Sequence, residues 1–216
     1  GARIEGLGTA TLQVRGVDQL GGGTYRIIPD RIEAATLLAA AAISGGEVTV
    51  AGLVPEHLQA VLEKLKEIGL HISTGGSTIR VCWNRPLQGT EVRTLPYPGF
   101  PTDLQAQMMA LLCLADGTSI ISETIFEDRF MHVGELKRMG ARIRLDGNSA
   151  LVTGVKKLSG APVMATDLRA SASLVLAGLV ADGVTEISRI YHLERGYENV
   201  EEKLKRLGAD VRTVVD

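Results

Sequence analysis

The sequence predicts an α/β fold of three β-α-β-α-β-β repeats, with three apolar helices at the centre and sheets around them. The first observation is a helix pattern that begins at Asp167 and runs through small and apolar residues to Gly183. A helix that is apolar on all sides has no solvent face, so it must be buried. The second observation is that the same design, an opening Asp and a closing Gly, recurs at residues 30–45 and 103–117. Three such helices predict a threefold internal repeat.

A third observation, the spacing of one glycine, fixes the period of the repeat. This glycine occurs at four matching positions: Gly1, Gly69, Gly140 and Gly208. The period is therefore about 70 residues. The three later glycines each follow a predicted helix, whereas Gly1 is the first residue given. We therefore expect the chain to be a fragment that begins just after a helix it does not contain. The Gly-rich stretch at 20–24 is typical of a linker, so we expect residues 1–22 to end a preceding domain and residues 23–216 to form the next.

The elements of each repeat follow in a fixed order. Each buried helix is followed by a predicted strand: 47–51, 118–122 and 185–189. An amphipathic helix comes next, with apolar residues at helical spacing; the three begin near Pro55, Met131 and Gly196. The repeated glycine then provides a left-handed cap. A β-hairpin follows, as at 140–155 and, at the start of the chain, 1–17.

The composition excludes several classes of protein. With 45% hydrophobic and 22% charged residues among 216, the chain can bury a core and is not disordered. A formal net charge of -2 gives no reason to expect a nucleic acid or an anionic membrane as partner. The sequence has no apolar run long enough to span a membrane and no signal-peptide pattern. The two cysteines, Cys82 and Cys113, lie in apolar settings, and we expect both to be buried thiols.

The polar ends of the three buried helices indicate a site. If the helices are parallel, their N-termini cluster at one end, where Asp30, Asp103 and Asp167 would meet. A helix N-terminus carries partial positive charge and favours anions. Asp103 follows a Pro-rich loop, and the sequence leaves open whether it is a plain N-cap or a catalytic base.

Three arginines lie near this predicted end. Arg169 is in the first turn of its helix, and Arg129 and Arg195 are on loops that follow strands of the second and third repeats. Taken singly, each loop arginine could be a solvated surface residue. Taken together they favour an anion site, because guanidinium binds phosphate and carboxylate in a bidentate manner. His132 and His192 lie beside the same loops and are further candidates for a ligand contact.

Five stretches of this sequence resemble one family. They are Pro29-Asp-Arg-Ile-Glu33, Pro98-Gly-Phe-Pro-Thr-Asp-Leu-Gln-Ala-Gln107, Glu123-Thr-Ile-Phe-Glu-Asp-Arg-Phe-Met-His-Val133, Val163-Met-Ala-Thr-Asp-Leu-Arg-Ala-Ser-Ala-Ser-Leu-Val-Leu-Ala-Gly178 and Arg189-Ile-Tyr-His-Leu-Glu-Arg-Gly-Tyr-Glu198. In this order they resemble the UDP-N-acetylglucosamine 1-carboxyvinyltransferases, which are enolpyruvyl transferases. The resemblance runs from about Ile4 to the end of the chain.

The resemblance implies an enzyme that moves the enolpyruvyl group of phosphoenolpyruvate to the 3-hydroxyl of UDP-N-acetylglucosamine and releases phosphate. It implies a cytoplasmic protein of peptidoglycan synthesis, and hence of cell-wall biogenesis, cell shape and cell division, without a metal or organic cofactor. It implies two inside-out α/β barrel domains that close over substrate. This chain would be the C-terminal one, with the tail of the missing N-terminal domain as its first residues.

The resemblance also implies roles for six residues. Asp103 would be the general base, and Asp167 would lie close to the reacting centre. The substrate-binding residues would be Ile125 through its backbone, Arg129 near the phosphates, and Arg169 and Arg195 on phosphoenolpyruvate. The family's reactive cysteine belongs to the other domain, so neither Cys82 nor Cys113 has that role and the chain alone is expected to be inactive.

Two alternatives stay open at this point. The first is the sister enzyme 3-phosphoshikimate 1-carboxyvinyltransferase, whose motifs fit these loops less well. The second is a non-catalytic domain that serves as a folding unit or an interaction module.

Overall fold

Helices and strands alternate along most of the computed structural model, which describes residues 1–83 and 86–214. The α-helices in these residues are α1 (Arg31–Ser44), α2 (Gln59–Glu67), α3 (Gln105–Leu112), α4 (His132–Arg138), α5 (Leu168–Gly178), α6 (Tyr191–Glu194) and α7 (Val200–Arg206). The strands are β1 (Arg3–Glu5), β2 (Gln13–Arg15), β3 (Glu47–Ala51), β4 (His71–Gly75), β5 (Thr78–Cys82), β6 (Glu91–Arg93), β7 (Thr118–Ser122), β8 (Arg142–Asp146), β9 (Ser149–Thr153), β10 (Pro162–Met164) and β11 (Glu186–Ser188). Short 3₁₀ turns, Pro55–Leu58 and Thr102–Leu104, lead into α2 and α3.

The centre of the fold consists of the three apolar helices that the sequence predicts. Every residue of α3 is buried, and α3 packs against both α1 and α5. The small side chains of α1 and α5, among them Ala35, Ala39 and Ala172, allow this close approach and are themselves buried. The prediction of helices without a solvent face is confirmed.

The starts of α3 and α5 lie at the same end of this centre. Arg169, in the first turn of α5, contacts Asp103, which lies two residues before α3. The N-terminal ends of α3 and α5, which carry partial positive charge, therefore meet beside Asp103. Gln107 of α3 donates a hydrogen bond to Thr36 of α1 at 3.2 Å, and the parallel direction of α1 stays a prediction.

The second repeat shows the complete predicted unit, in the order β6, α3, β7, α4, β8, β9. Its strands form one sheet in the order β6-β7-β9-β8, with β6 parallel to β7 and the others antiparallel. Alternate residues of β7 and β9 are buried, as expected for a sheet with one face on the helices. The repeated glycines Gly69, Gly140 and Gly208 have φ of 113°, 92° and 97°. The period and the left-handed caps are thus confirmed.

The first and third repeats are shorter than the second in the part of the chain that the structure describes. The first has the sheet β3-β5-β4, and the third has only the parallel pair β10-β11. Neither residues 24–30 nor residues 207–214 form a strand. The third amphipathic helix, predicted to begin near Gly196, begins at Val200 as α7, directly after Asn199, whose φ of 48° is left-handed. The short helix α6 precedes it and was not predicted.

The N-terminal segment lies outside the core. Strands β1 and β2 pair antiparallel as predicted, and all residues from 1 to 30 except Val17 are exposed. Several of the exposed side chains are large and apolar: Ile4, Leu7, Leu12, Val14, Leu20, Tyr25, Ile27 and Ile28. The domain boundary between residues 22 and 23 stays a prediction.

The two cysteines differ from each other. Cys113 is buried as predicted, and burial raises its pKa to about 12. Cys82 is only half-buried, so the prediction for it is wrong. The reason is the alternation along β5: Ile79 and Val81 face the core, and Cys82 lies on the opposite face of the strand with Arg80.

Candidate active site

Asp103 lies between two arginines at the start of α3. One carboxylate oxygen, Oδ1, accepts a hydrogen bond from Arg129 Nη2 at 2.8 Å. The other, Oδ2, accepts from Arg169 Nη2 at 2.9 Å. Three predicted site residues from two different repeats are therefore in direct contact. An arrangement of one carboxylate and two guanidinium groups can hold an anion beside a proton acceptor.

Asp103 is not a helix N-cap, which removes one of the two readings that the sequence left open. It is the middle residue of the turn Thr102–Leu104, and α3 begins two residues later without a side-chain cap. Asp30 and Asp167 do cap their helices, since each accepts from backbone N–H groups two and three residues ahead. The cap position of the turn Thr102–Leu104 is Pro101. Asp103 lies inside the turn, and its carboxylate contacts the two arginines instead.

The two arginines lower the pKa of Asp103. Burial by itself would raise it, but the hydrogen bond from Arg129 and the charge and hydrogen bond of Arg169 outweigh burial. Asp103 is therefore ionised at neutral pH. A carboxylate with a low pKa is a weak base, so its basicity depends on whether the arginines stay on it.

Arg129 is fixed in place by the loop between β7 and α4. Its Nη1 donates to Thr102 Oγ1 at 2.6 Å, and its guanidinium lies 4.7 Å from the ring centroid of Phe126. The side chain is 23% exposed. Packing on an aromatic ring leaves the edge of the guanidinium free to bind oxygen atoms.

Arg169 is more buried, at 14% exposed. Its Nη1 donates to the hydroxyl of Tyr197 at 3.5 Å. That hydroxyl also accepts from Gln107 Nε2 at 3.1 Å and lies 3.1 Å from Thr36 Oγ1. A buried polar chain thus connects Arg169 to the interior of all three central helices.

Asp167 lies two residues before Arg169 in the chain and, within the described residues, forms no ion pair with the guanidinium of Arg169 or Arg129. Its Oδ1 accepts from the backbone N–H groups of Arg169 and Ala170, at 2.7 and 2.9 Å. The buried imidazole of His132 lies near it: burial lowers the pKa of His132 to about 4, while the charge of Asp167 acts in the opposite direction. His132 is therefore neutral at physiological pH.

The remaining predicted site residues are not brought into this contact. Arg195 follows α6 and is exposed, and the described residues provide it with no ion pair. Asp30 caps α1, and its meeting with Asp103 and Asp167 stays a prediction. Ile125 donates its backbone N–H to Glu123 at 2.9 Å; a ligand contact through its backbone would use the carbonyl oxygen.

The sequence reasoning did not single out several residues that hold the site together. Thr102, Glu123 and Tyr197 contact the arginines or the loops that carry them. All three lie within the stretches that resemble the family, and this position in the chain was a signal that could have identified them. Their side-chain contacts depend on tertiary structure.

The described ranges contain no group of three or more His, Cys, Asp or Glu side chains arranged to hold a metal ion. None of the helices in these ranges is both long and apolar enough to cross a membrane.

Known proteins resemble this chain over nearly all of its length. The chain is 59% identical over 211 residues to the UDP-N-acetylglucosamine 1-carboxyvinyltransferase of Geotalea uraniireducens (strain Rf4). The matched region covers 98% of this chain and 51% of the relative. The protein of the same name from Myxococcus xanthus (strain DK1622) is 60% identical over 212 residues, covering 98% and 50%. The chain therefore spans about half the length of the curated relatives that it matches.

Solved structures agree with the architecture. The enolpyruvyl transferase NikO from Streptomyces tendae superposes with a TM-score of 0.82 at 30% identity, over 98% of this chain and 51% of that one. The EPSP synthase from Acinetobacter baumannii superposes with a TM-score of 0.68 over 89% and 46%, and at 19% identity it supports the fold alone. These neighbours confirm the predicted inside-out α/β architecture.

A family model also matches the chain. Its description is EPSP synthase (3-phosphoshikimate 1-carboxyvinyltransferase), and it matches residues 1–204 of the 216. The resemblance to enolpyruvyl transferases that the five stretches carry is therefore confirmed. The chain belongs to the EPSP synthase (3-phosphoshikimate 1-carboxyvinyltransferase) family.

Proposed function

We propose that this chain is one half of a UDP-N-acetylglucosamine 1-carboxyvinyltransferase and supplies the general base and two anion-binding arginines of its active site. The observation that carries the proposal is the carboxylate of Asp103 held between Arg129 and Arg169, at 2.8 and 2.9 Å. Relatives about 60% identical over almost the whole chain carry this name. The enzyme would act in the cytoplasm, in peptidoglycan synthesis.

The reaction requires the groups that the site contains. The 3-hydroxyl oxygen of the sugar nucleotide bonds to C2 of phosphoenolpyruvate while a proton adds to C3, so that the double bond is used up. Phosphate then leaves from C2 as C3 loses a proton, which restores the double bond. The attacking hydroxyl must lose its proton to a base, and Asp103 would accept it. Phosphoenolpyruvate and its adduct are highly charged anions, which the guanidinium groups of Arg169 and Arg195 would bind.

The hydrogen bonds of Asp103 support a coupling between anion binding and base strength. The carboxylate of Asp103 accepts hydrogen bonds from Arg169 and Arg129, which lower its pKa. When Arg169 turns to a phosphate or carboxylate of the substrate, Asp103 loses part of this stabilisation and becomes a stronger base. The base would therefore gain strength as phosphoenolpyruvate binds, beside the reacting hydroxyl.

The other residues have supporting roles in this proposal. Arg129, fixed by Thr102 and Phe126, would lie near the phosphates of the sugar nucleotide. Ile125 would contact the nucleotide sugar through its backbone carbonyl. Asp167 would lie close to the reacting carbon, where it also keeps the N-terminus of α5 in place. No metal or organic cofactor is needed for these steps.

The test is activity of a joined enzyme, in which this chain replaces the matching half of the Geotalea uraniireducens relative. We expect phosphate release with phosphoenolpyruvate and UDP-N-acetylglucosamine, and none from this chain by itself. The family description makes the sister reaction the second candidate. Phosphate release with shikimate 3-phosphate instead would identify that reaction, and release with neither acceptor would refute an enzymatic role.

A further inference from the structure

We infer that Glu123 is a positioning residue that ties the loop carrying Ile125 and Arg129 to the turn carrying Asp103. The inference rests on the proposed function, because the groups that Glu123 positions are those of the proposed site. It follows from the hydrogen bonds around a carboxylate that is only 2% exposed.

The first step is the number of donors that converge on this carboxylate. Oε1 accepts from Thr94 Oγ1 at 2.8 Å and from the backbone N–H groups of Ile125 and Phe126 at 2.9 and 3.2 Å. Oε2 accepts from Thr102 Oγ1 at 2.8 Å. A carboxylate can accept this many hydrogen bonds because both of its oxygens are acceptors only. A buried carboxylate with four donors is well satisfied, which is the usual condition for burying it.

The second step is what these donors belong to. Ile125 and Phe126 open the loop that follows β7, and Thr102 directly precedes Asp103. Glu123 therefore joins the end of a strand to two loops that are more than 20 residues apart in the chain. Thr94, which follows β6, adds a further link. Its Oγ1 donates to Glu123 and accepts from the backbone N–H of Thr124 at 2.8 Å.

The third step is the path from Glu123 to the base. The hydroxyl of Thr102 donates its single hydrogen to Glu123, so its lone pairs face the other way. Arg129 Nη1 donates to that oxygen, and Arg129 Nη2 donates to Asp103. The orientation of the Thr102 hydroxyl thus sets where the Arg129 guanidinium lies against Asp103. An amide at position 123 would put a donor against Thr102 and leave its hydroxyl hydrogen without an acceptor.

Two separable effects follow from Glu123→Gln in the joined enzyme. The Michaelis constant for UDP-N-acetylglucosamine should rise, because the backbone of Ile125 loses a charged acceptor. The turnover number should fall about 10-fold or more, the scale of a lost hydrogen bond to a charged group. The matched control is Glu91→Gln, which makes the same change of charge at an exposed residue of β6 and should leave both constants unchanged.

Substitutions of Thr102 separate positioning from general support of the fold. Thr102→Val should lower the turnover number to a similar extent, and Thr102→Ser, which keeps the hydroxyl, should restore it. The double variant Glu123→Gln with Thr102→Val should lose clearly less turnover than the product of the two single effects, since Glu123 acts on the base largely through Thr102.

The outcomes are distinguishable from failure of the proposed function. If the unsubstituted joined enzyme releases no phosphate, the proposed function fails first. If it is active but Glu123→Gln behaves like Glu91→Gln, or the double variant shows the product of the two single effects, the role of Glu123 is refuted. Should Glu123→Gln unfold at the assay temperature, Thr102→Val decides, because an unchanged turnover number in that variant also refutes the path.

Discussion

Replacing Asp103 with asparagine removes the proposed proton acceptor and leaves the size of the side chain unchanged. Asparagine can still accept a hydrogen bond from one arginine, but it carries no charge and cannot take a proton at neutral pH. Loss of general-base catalysis typically lowers the rate by about 100-fold to 10,000-fold. We therefore expect the turnover number of the joined enzyme to fall by at least about 100-fold.

The same substitution should also lower the free energy of unfolding, and the partial exposure of the Asp103 side chain limits the size of this effect. Arg129 and Arg169 each lose a hydrogen bond to a charged acceptor, and such a bond contributes about 1.5–3 kcal/mol when well buried. The Asp103 side chain is 36% exposed, so solvent screening reduces this contribution. We expect Asp103→Asn to lower the free energy of unfolding by about 1–2 kcal/mol in total near neutral pH.

The pH dependence of this stability difference follows from the lowered pKa of Asp103. A carboxyl group with a folded-state pKa below its unfolded value, about 3.9, contributes stability above that value. The contribution is lost as the pH falls through the folded pKa. The difference in stability between the unsubstituted protein and Asp103→Asn should therefore shrink in acid.

Steady-state phosphate release measures the turnover number, and urea unfolding at neutral and acidic pH measures the stability difference. Asp146→Asn is the matched control, because Asp146 is an exposed residue at the end of β8 and asparagine is well accepted beside the Gly of a hairpin turn. A turnover number for Asp103→Asn equal to that of Asp146→Asn would refute the assignment of Asp103 as the base.

Three further predictions concern single side chains. Arg195→Ala should raise the Michaelis constant of the joined enzyme for phosphoenolpyruvate more than for the sugar nucleotide; equal effects in initial-rate measurements would argue against its proposed role. Tyr197→Phe should lower the free energy of unfolding by about 1–3 kcal/mol, because the buried Gln107 and Thr36 lose their shared partner; a denaturation curve that matches the unsubstituted protein would contradict this. Cys113 should resist alkylation by iodoacetamide in the folded protein at mildly alkaline pH, since burial raises its pKa to about 12; mass spectrometry showing rapid modification would disprove it.

The repeat architecture could be predicted because it depends on local patterns. The burial of α3 and α5 follows from their apolar sequences, in which Arg169 in the first turn of α5 is the one charged residue. The strands Glu47–Ala51 and Thr118–Ser122 have the predicted bounds. Left-handed glycines after the amphipathic helices are also local, since only glycine adopts that conformation without strain. The start of α7 at Val200 was predicted too early, near Gly196, because nothing in the local pattern around Asn199 requires a left-handed residue.

The site was predicted in composition but not in contacts. The residue types and the matching stretches identified Asp103, Arg129 and Arg169 as candidates. They could not decide whether Asp103 caps α3 or faces the arginines. The N-cap position of α3 is Leu104, so a helix that began one residue earlier would have made Asp103 the cap. The contacts of Glu123 with Thr94 and Thr102 join segments about 20 to 30 residues apart, so no local pattern contains them.

The sequence by itself determined which helices are buried, where each repeat begins and which side chains could bind an anion. These follow from periodicity, glycine positions and side-chain chemistry, all of which act over a few residues. Only the tertiary structure decided that Asp103 is shared between Arg129 and Arg169, and that Glu123 anchors the loops around it. The reason is that a hydrogen bond needs two groups within about 3 Å, and for groups distant in sequence that separation is set by how the helices and sheets pack.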